Sequence, residues 1–135
     1  MNSFTSLSPD QRAQMVAALR TEGIVYSLLF GSAAESHLTF DSDVDVAVAA
    51  ERALSTETKT RLIAKLAAIA LRPIDVIDLK TARGLVFARA LQGEQILCDS
   101  MKAKGDAQYR RVSLVEEDLN FARRSFALAQ PAMFR

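Results

Sequence analysis

The sequence has 135 residues, half of them hydrophobic and 24% charged, with a formal net charge of +1. That is the balance of one ordinary globular domain with enough chain to bury a core. Near-neutral charge excludes a global field drawing the chain to nucleic acid or to an anionic membrane, so no direct nucleic-acid contact is expected and any phosphate must be held locally.

In chain order, Ser8-Pro9-Asp10-Gln11 reads as a helix start, with a capping serine, a first-turn proline and Gln11 placed to complete a capping box. Met15, Val16 and Leu19 give the helix its apolar face, and Gly23 is placed to stop it. Ile24 to Phe30 is a continuous apolar run suited to a buried strand, broken by Gly31-Ser32. A second strand is expected over Val44 to Val48, with Asp43 and Asp45 on one face and Val44 and Val46 on the other. Ser55 can cap the next helix, whose Leu62, Ile63, Leu66, Ile69 and Ala70 repeat at helical spacing until Pro73 ends it. Ile74 to Leu79 reads as a third strand, Thr81 to Gln92 as a helix ended by Gly93, and Gln95 to Cys98 as a short fourth strand. Polar residues Ser100 to Asp106 read as a linker, and a last helix is expected from about 107 to 130, before Pro131. Helices alternating with few, short strands imply a small α/β sheet with helices packed on it, in a single domain over 1–135 whose core spans about 8–99.

Cys98 is the one cysteine, so no intramolecular disulfide can form, and it reads as a small buried apolar residue in a reducing compartment. Residues Met1 to Ser8 lack the basic-then-apolar pattern of a signal peptide, and no apolar run is long enough to span a bilayer. The expected location is the cytoplasm, with no membrane contact.

Asp43 and Asp45 demand an explanation. Aspartate is a poor strand former, and two like charges on one strand face repel. The ordinary alternative is a turn, since "FDSDVD" is rich in turn formers. A divalent cation is the other solution, because magnesium takes hard oxygen ligands from a couple of carboxylates, water and phosphate. Gly31 lets backbone approach a phosphate, and Ser32 offers a hydroxyl and a backbone donor. A third carboxylate can come from Asp75 or Asp78, which lie on opposite faces of their strand, so at most one joins the pair. The other is expected to be a solvated charge guarding an edge strand, a role assigned to Asp78.

Gly31-Ser32, ten residues, then Asp43-Val44-Asp45 resembles the signature of the polymerase-beta-like nucleotidyltransferases. Within that superfamily the short chain is similar to the minimal nucleotidyltransferases, over about residues 10 to 100. The resemblance implies a mixed-sheet fold with a C-terminal helix, magnesium held by Asp43, Asp45 and Asp75 as the catalytic and metal-binding carboxylates, and the triphosphate of ATP held by Gly31 and Ser32. Asp75 is preferred to Asp78 because it sits early in its strand. The resemblance also implies an antitoxin that transfers AMP from ATP to a tyrosine hydroxyl of a HEPN-type ribonuclease toxin. One departure stands out: Ala33-Ala34-Glu35-Ser36 puts an acid where such sequences carry arginine, followed by serine rather than glycine. It motivates a second reading, an antitoxin that acts by docking alone; a third is transfer to a small molecule, against which the short chain counts.

Elsewhere, His37, the only histidine, reads as a solvated loop residue, and Lys80, Arg83 and Arg89 as the wet face of a helix rather than a basic wall for nucleotide. In the last helix Val112, Val115, Leu119, Ala122 and Phe126 form one apolar stripe and Leu114, Phe121 and Leu128 a second line. The second line packs either on this chain's core or on a partner, with Tyr109, Arg110 and Arg111 as a polar rim in the latter case.

Overall fold

The structure is a computed structural model, described here over residues 7–31 and 43–113. Helix α1 spans Pro9–Thr21 and begins with the full capping box: the Ser8 hydroxyl accepts the Gln11 N–H, and the Gln11 side chain accepts the Ser8 N–H. Its end is followed by Gly23 at φ +82°, where a side chain would be strained. Strand β1 (Tyr26–Phe30) and strand β2 (Val44–Ala49) follow. Helix α2 (Thr56–Ala70) is capped by Ser55 accepting the Thr58 N–H and ends at Leu71 in the left-handed region, just before Pro73. Strand β3 (Ile74–Asp78), helix α3 (Gly84–Leu91) and strand β4 (Glu94–Cys98) complete the core, and residues 101–113 form helix α4.

The sheet order is β3-β2-β1-β4. β1 runs antiparallel to both β2 and β4, while β2 and β3 are parallel, so the α/β architecture has the expected mixed sheet. Alternate residues feed two apolar layers. Val44, Val46, Val48, Ile74, Val76 and Leu29 pack beneath α1 and α2, through Met15, Leu19, Leu62 and Leu66. Tyr26, Leu28, Phe30, Ala47 and Ala49 form the other face, covered by Phe87, Ala90 and Leu91 of α3 and by Ala107 of α4. The aspartates at the starts of β2 and β3 belong to this second face. Among the described residues no helix is long and apolar enough to cross a membrane.

Three expectations need correction. The linker expected over Ser100 to Asp106 is helical from residue 101: the Ser100 hydroxyl accepts the Ala103 N–H, and Ala103 and Ala107 supply a small apolar face that polar neighbours conceal in the sequence. The third helix starts at Gly84 rather than Thr81, because Thr81 and Ala82 N–H groups turn back to the Asp78 carbonyl. Asp78 is no solvated edge charge. It is 7% exposed, and its carboxylate accepts the Leu54 N–H at 2.8 Å and the Lys80 N–H at 2.9 Å, tying the loop before α2 to the turn after β3.

The start of the last helix is also anchored within the chain. Arg110 donates to the Leu79 carbonyl at 2.6 Å and lies 4.7 Å from the centroid of the Phe87 ring, so it clamps the start of this helix to α3 and to the end of β3. Val112, expected on the buried stripe, is exposed, as is Tyr109. Leu114, Val115, Leu119, Phe121, Ala122, Phe126 and Leu128 lie outside the described residues. Cys98 is half-buried, against the second layer.

Glu22, at the end of α1, receives both Arg61 and Lys65 of α2. Hydrogen bonds from Arg61 and then Lys65 hold its carboxyl down at about 2, from an ordinary 4.5. A depressed folded value means the contribution is complete above the unfolded value and fades as pH falls from about 4.5 towards about 2. Thermal melts should therefore show Glu22→Gln less stable than the parent at pH 7, with the gap closing across that acid window. At Gly93 a Cβ would collide with the Leu29 carbonyl oxygen and approach Phe30 Cβ at 2.9 Å. Gly93→Ala should cost about 1–3 kcal/mol through this overpacking, read as a lowered denaturant midpoint.

Candidate active site

The β2–β3 register brings the key residues together. Asp45 is the direct partner of Asp75 across the parallel pair, and of Phe30 across the antiparallel one. Directly paired residues of adjacent strands point to the same face, with strands about 4.8 Å apart, so Asp45 and Asp75 stand side by side. Asp43, two residues before Asp45, falls on the same side. Asp43 and Asp75 are exposed and Asp45 is half-buried. The face they share is the one α3 covers further along, so the carboxylates occupy its open end.

The charges of the three are felt by one another. The Asp45 carboxyl is raised above its ordinary range by burial first, then by the charges of Asp75 and Asp43; Arg89 pulls the other way. Three carboxylates in mutual repulsion are what a cation would relieve. As the side chains stand, no group of three or more His, Cys, Asp or Glu among the described residues is gathered tightly enough to hold a metal ion. Magnesium does not require one: it is usually bound by one or two carboxylates, with water and substrate phosphates completing the shell. The Asp43–Asp45 pair fits that requirement.

Gly31 ends β1 beside them at φ +68°, and a Cβ there would lie 2.5 Å from Asp45 Oδ2. Both facts call for glycine: the left-handed backbone penalises a side chain, and the space next to the carboxylate is already taken. Ser32, together with Glu35, Ser36 and His37, lies outside the described residues. Asp78 faces the opposite layer and its carboxylate is committed to backbone N–H groups, leaving Asp75 as the aspartate of β3 that joins the cluster. Lys80 is also committed, donating to the Glu51 carbonyl at 2.8 Å. Arg89 is exposed on α3, as its reading as the wet face of a helix expects, and its positive charge opposes the rise of the Asp45 carboxyl.

The sequence pattern of the family described as Polymerase beta, Nucleotidyltransferase matches residues 14–102. No curated protein sequence matches this chain. Among solved structures, a toxin–antitoxin crystal structure with AMP-PNP is 21% identical, covers 90% of this chain and 98% of its own, and has a TM-score of 0.69. The toxin–antitoxin MntA–HepT is 19% identical, with 93% and 99% covered and a TM-score of 0.65. A tri-AMPylated Shewanella oneidensis HEPN toxin in complex with MNT antitoxin is 20% identical, with 91% and 96% covered and a TM-score of 0.63. At these identities the likeness establishes a shared fold. The family follows from the sequence match, which spans more than half of the chain and both motif-bearing strands: this chain belongs to the polymerase beta nucleotidyltransferase family.

Proposed function

We propose that this chain is the antitoxin of a toxin–antitoxin pair and transfers AMP from ATP to a hydroxyl, a tyrosine's, on a HEPN-type ribonuclease partner. The observation that carries the reading is the pairing of Asp45 with Asp75, with Asp43 beside them, at the open end of one sheet face. The fold shared with chains of toxin–antitoxin complexes, one with AMP-PNP and one with a tri-AMPylated HEPN toxin, supports the partner and the nucleotide.

In this reading Asp43 and Asp45 hold magnesium, which when bound would neutralise triphosphate charge and orient the α-phosphate for attack. Asp75 accepts the proton of the acceptor hydroxyl. The hydroxyl oxygen forms a bond to the α-phosphorus as the bond from that phosphorus to the bridging oxygen breaks, and pyrophosphate leaves with the electron pair. Positioning and charge stabilisation supply most of the rate in such transfers, and rigid strands are well suited to both. Gly31 keeps the carboxylate of Asp45 in place, and Gly31 with Ser32 cradles the phosphates. The reaction needs no further residue to act as nucleophile, because the acceptor brings its own.

Incubating the full chain with a HEPN protein encoded beside it, ATP and magnesium should add whole AMP units to the partner's intact mass. Asp43→Asn with Asp45→Asn should reduce transfer at least about a hundredfold, since even residues that only support metal ligands are worth 10–100-fold, while the melting temperature holds. Undiminished transfer by that variant would sink the mechanism. Neutralisation of the toxin by a variant that no longer transfers AMP would instead favour the docking antitoxin, for which Glu35-Ser36 is the motive. Gly31→Ala should lose both transfer and stability, at least about 1–2 kcal/mol of the latter from its left-handed backbone alone, measured by denaturant unfolding.

A further inference from the structure

Two glycines bear on the end of β1. On one side Gly31 leaves free the space that Asp45 Oδ2 occupies. On the other, the turn from α3 into β4 passes so close that a Cβ at Gly93 would collide with the Leu29 carbonyl oxygen and lie 2.9 Å from Phe30 Cβ. An approach this tight leaves no slack, and the surroundings decide which side gives way. The turn is held from both directions. The Gly93 N–H donates to the Ala90 carbonyl at 3.1 Å, and Ala90 and Leu91 are buried against the sheet. The next residue, Glu94, pairs with Leu29 and receives Arg12 of α1 at 2.6 Å. The end of β1 is held less. Leu29 with Glu94 is the last pair of one ladder and Phe30 with Asp45 the last of the other. A side chain at position 93 would therefore displace Phe30 and Gly31, and with them the partner of Asp45.

We propose that Gly93 is a positioning residue for nucleotide binding. By letting the α3–β4 turn lie flush against Leu29 and Phe30, it sets where Gly31 stands relative to Asp45, an inference that rests on the nucleotidyltransferase reading above. Gly93 acts through β1 and does not itself touch the triphosphate. The close approach transmits position because it is made to backbone and to a Cβ, which cannot swing aside as the far end of a flexible side chain can. A misplacement of about 1 Å caused by a residue away from the chemistry can cost on the order of a hundredfold in rate, so a single methyl group is enough to test the role.

Gly93→Ala is compared with Glu22→Gln, which loses stability far from the site, at a temperature where circular dichroism shows both to be folded. With ATP, magnesium and the HEPN partner, kcat/KM for ATP should fall about a hundredfold in Gly93→Ala and stay at the parent's value in Glu22→Gln. In NMR spectra without ATP or partner, the Gly31 and Asp45 amide signals should move in Gly93→Ala and stay in place in Glu22→Gln. Parent-like ATP kinetics in folded Gly93→Ala would overturn the assignment of Gly93 and leave the nucleotidyltransferase reading standing. An equal fall in Glu22→Gln would also overturn it, because lost stability would then account for the effect. If Gly93→Ala does not fold, Gln92→Gly loosens the same turn without adding an atom beside Leu29: weakened use of ATP is expected, and parent-like kinetics would count against the role. A parent chain that neither binds ATP nor transfers AMP would remove the nucleotidyltransferase reading, and Gly93's role with it.

Discussion

Two backbone hydrogen bonds close the ends of the β2–β3 ladder: the Val44 N–H to the Pro73 carbonyl and the Leu79 N–H to the Val48 carbonyl, both at 2.8 Å. Everything proposed for the site depends on the register they fix. With Val44 opposite Ile74, Asp45 meets Asp75 and the valines of both strands enter the same apolar layer. A slip of one residue would turn every side chain of a strand to the opposite face, burying Asp75 under α2 and lifting Val76 into the open. The apolar layer therefore enforces the placement of the charges. Val44, Val46 and Val76 are completely buried, and a slip of one residue would not keep them so. Hydrophobic burial, which is non-directional, acquires direction here through the period of the strand.

The same register creates an electrostatic burden. Asp45 is half-buried and faces two other carboxylates, an arrangement that folding alone would not favour. The surrounding structure tolerates it by keeping Asp43 and Asp75 in contact with water, where repulsion is screened, and by setting Arg89 nearby. Compare Glu22, where two cations on α2 converge on one acid. That cluster is electrostatically satisfied and ties one helix to another. The aspartates are under-compensated and sit at an open sheet end, and perturbed carboxylates in such a setting mark functional sites more often than structural ones.

Much of this was legible in the sequence because it depends on short-range pattern. Ser8 and Ser55 announce their helices by capping chemistry, and the glycine-serine and Asp-x-Asp spacing singles out the strands that carry the site. The alternation in "IDVID" already separates Asp75 from Asp78. What the sequence could not disclose lies in contacts between distant segments. Asp78 reads as a surface charge until Leu54, 24 residues away, is seen to donate to it. Nothing local in the sequence says that Arg110 meets the Leu79 carbonyl and the Phe87 ring. Ser100 to Asp106 hides its helix for a different reason: over the described residues its buried face is only alanine, which leaves a weak hydrophobic signal, although Ala107 is almost fully enclosed.

The contrast between Asp75 and Asp78 shows how one five-residue strand serves two purposes. Both are acids in a strand that, among the described residues, lies at the edge of the sheet. Asp78 turns inward and its two backbone donors satisfy its oxygens, so it can be buried without leaving a charge unpaired. By holding Leu54 and Lys80 it fixes the loop that leads into α2 and the turn that leads towards α3. Asp75, at the other end and on the other face, is exposed. The aspartate that is hydrogen-bonded from two sides stabilises the strand, and the strand in turn holds Asp75 beside Asp45. The alternation of the strand alone thus gives two identical side chains opposite settings, one buried and hydrogen-bonded, the other exposed beside Asp45.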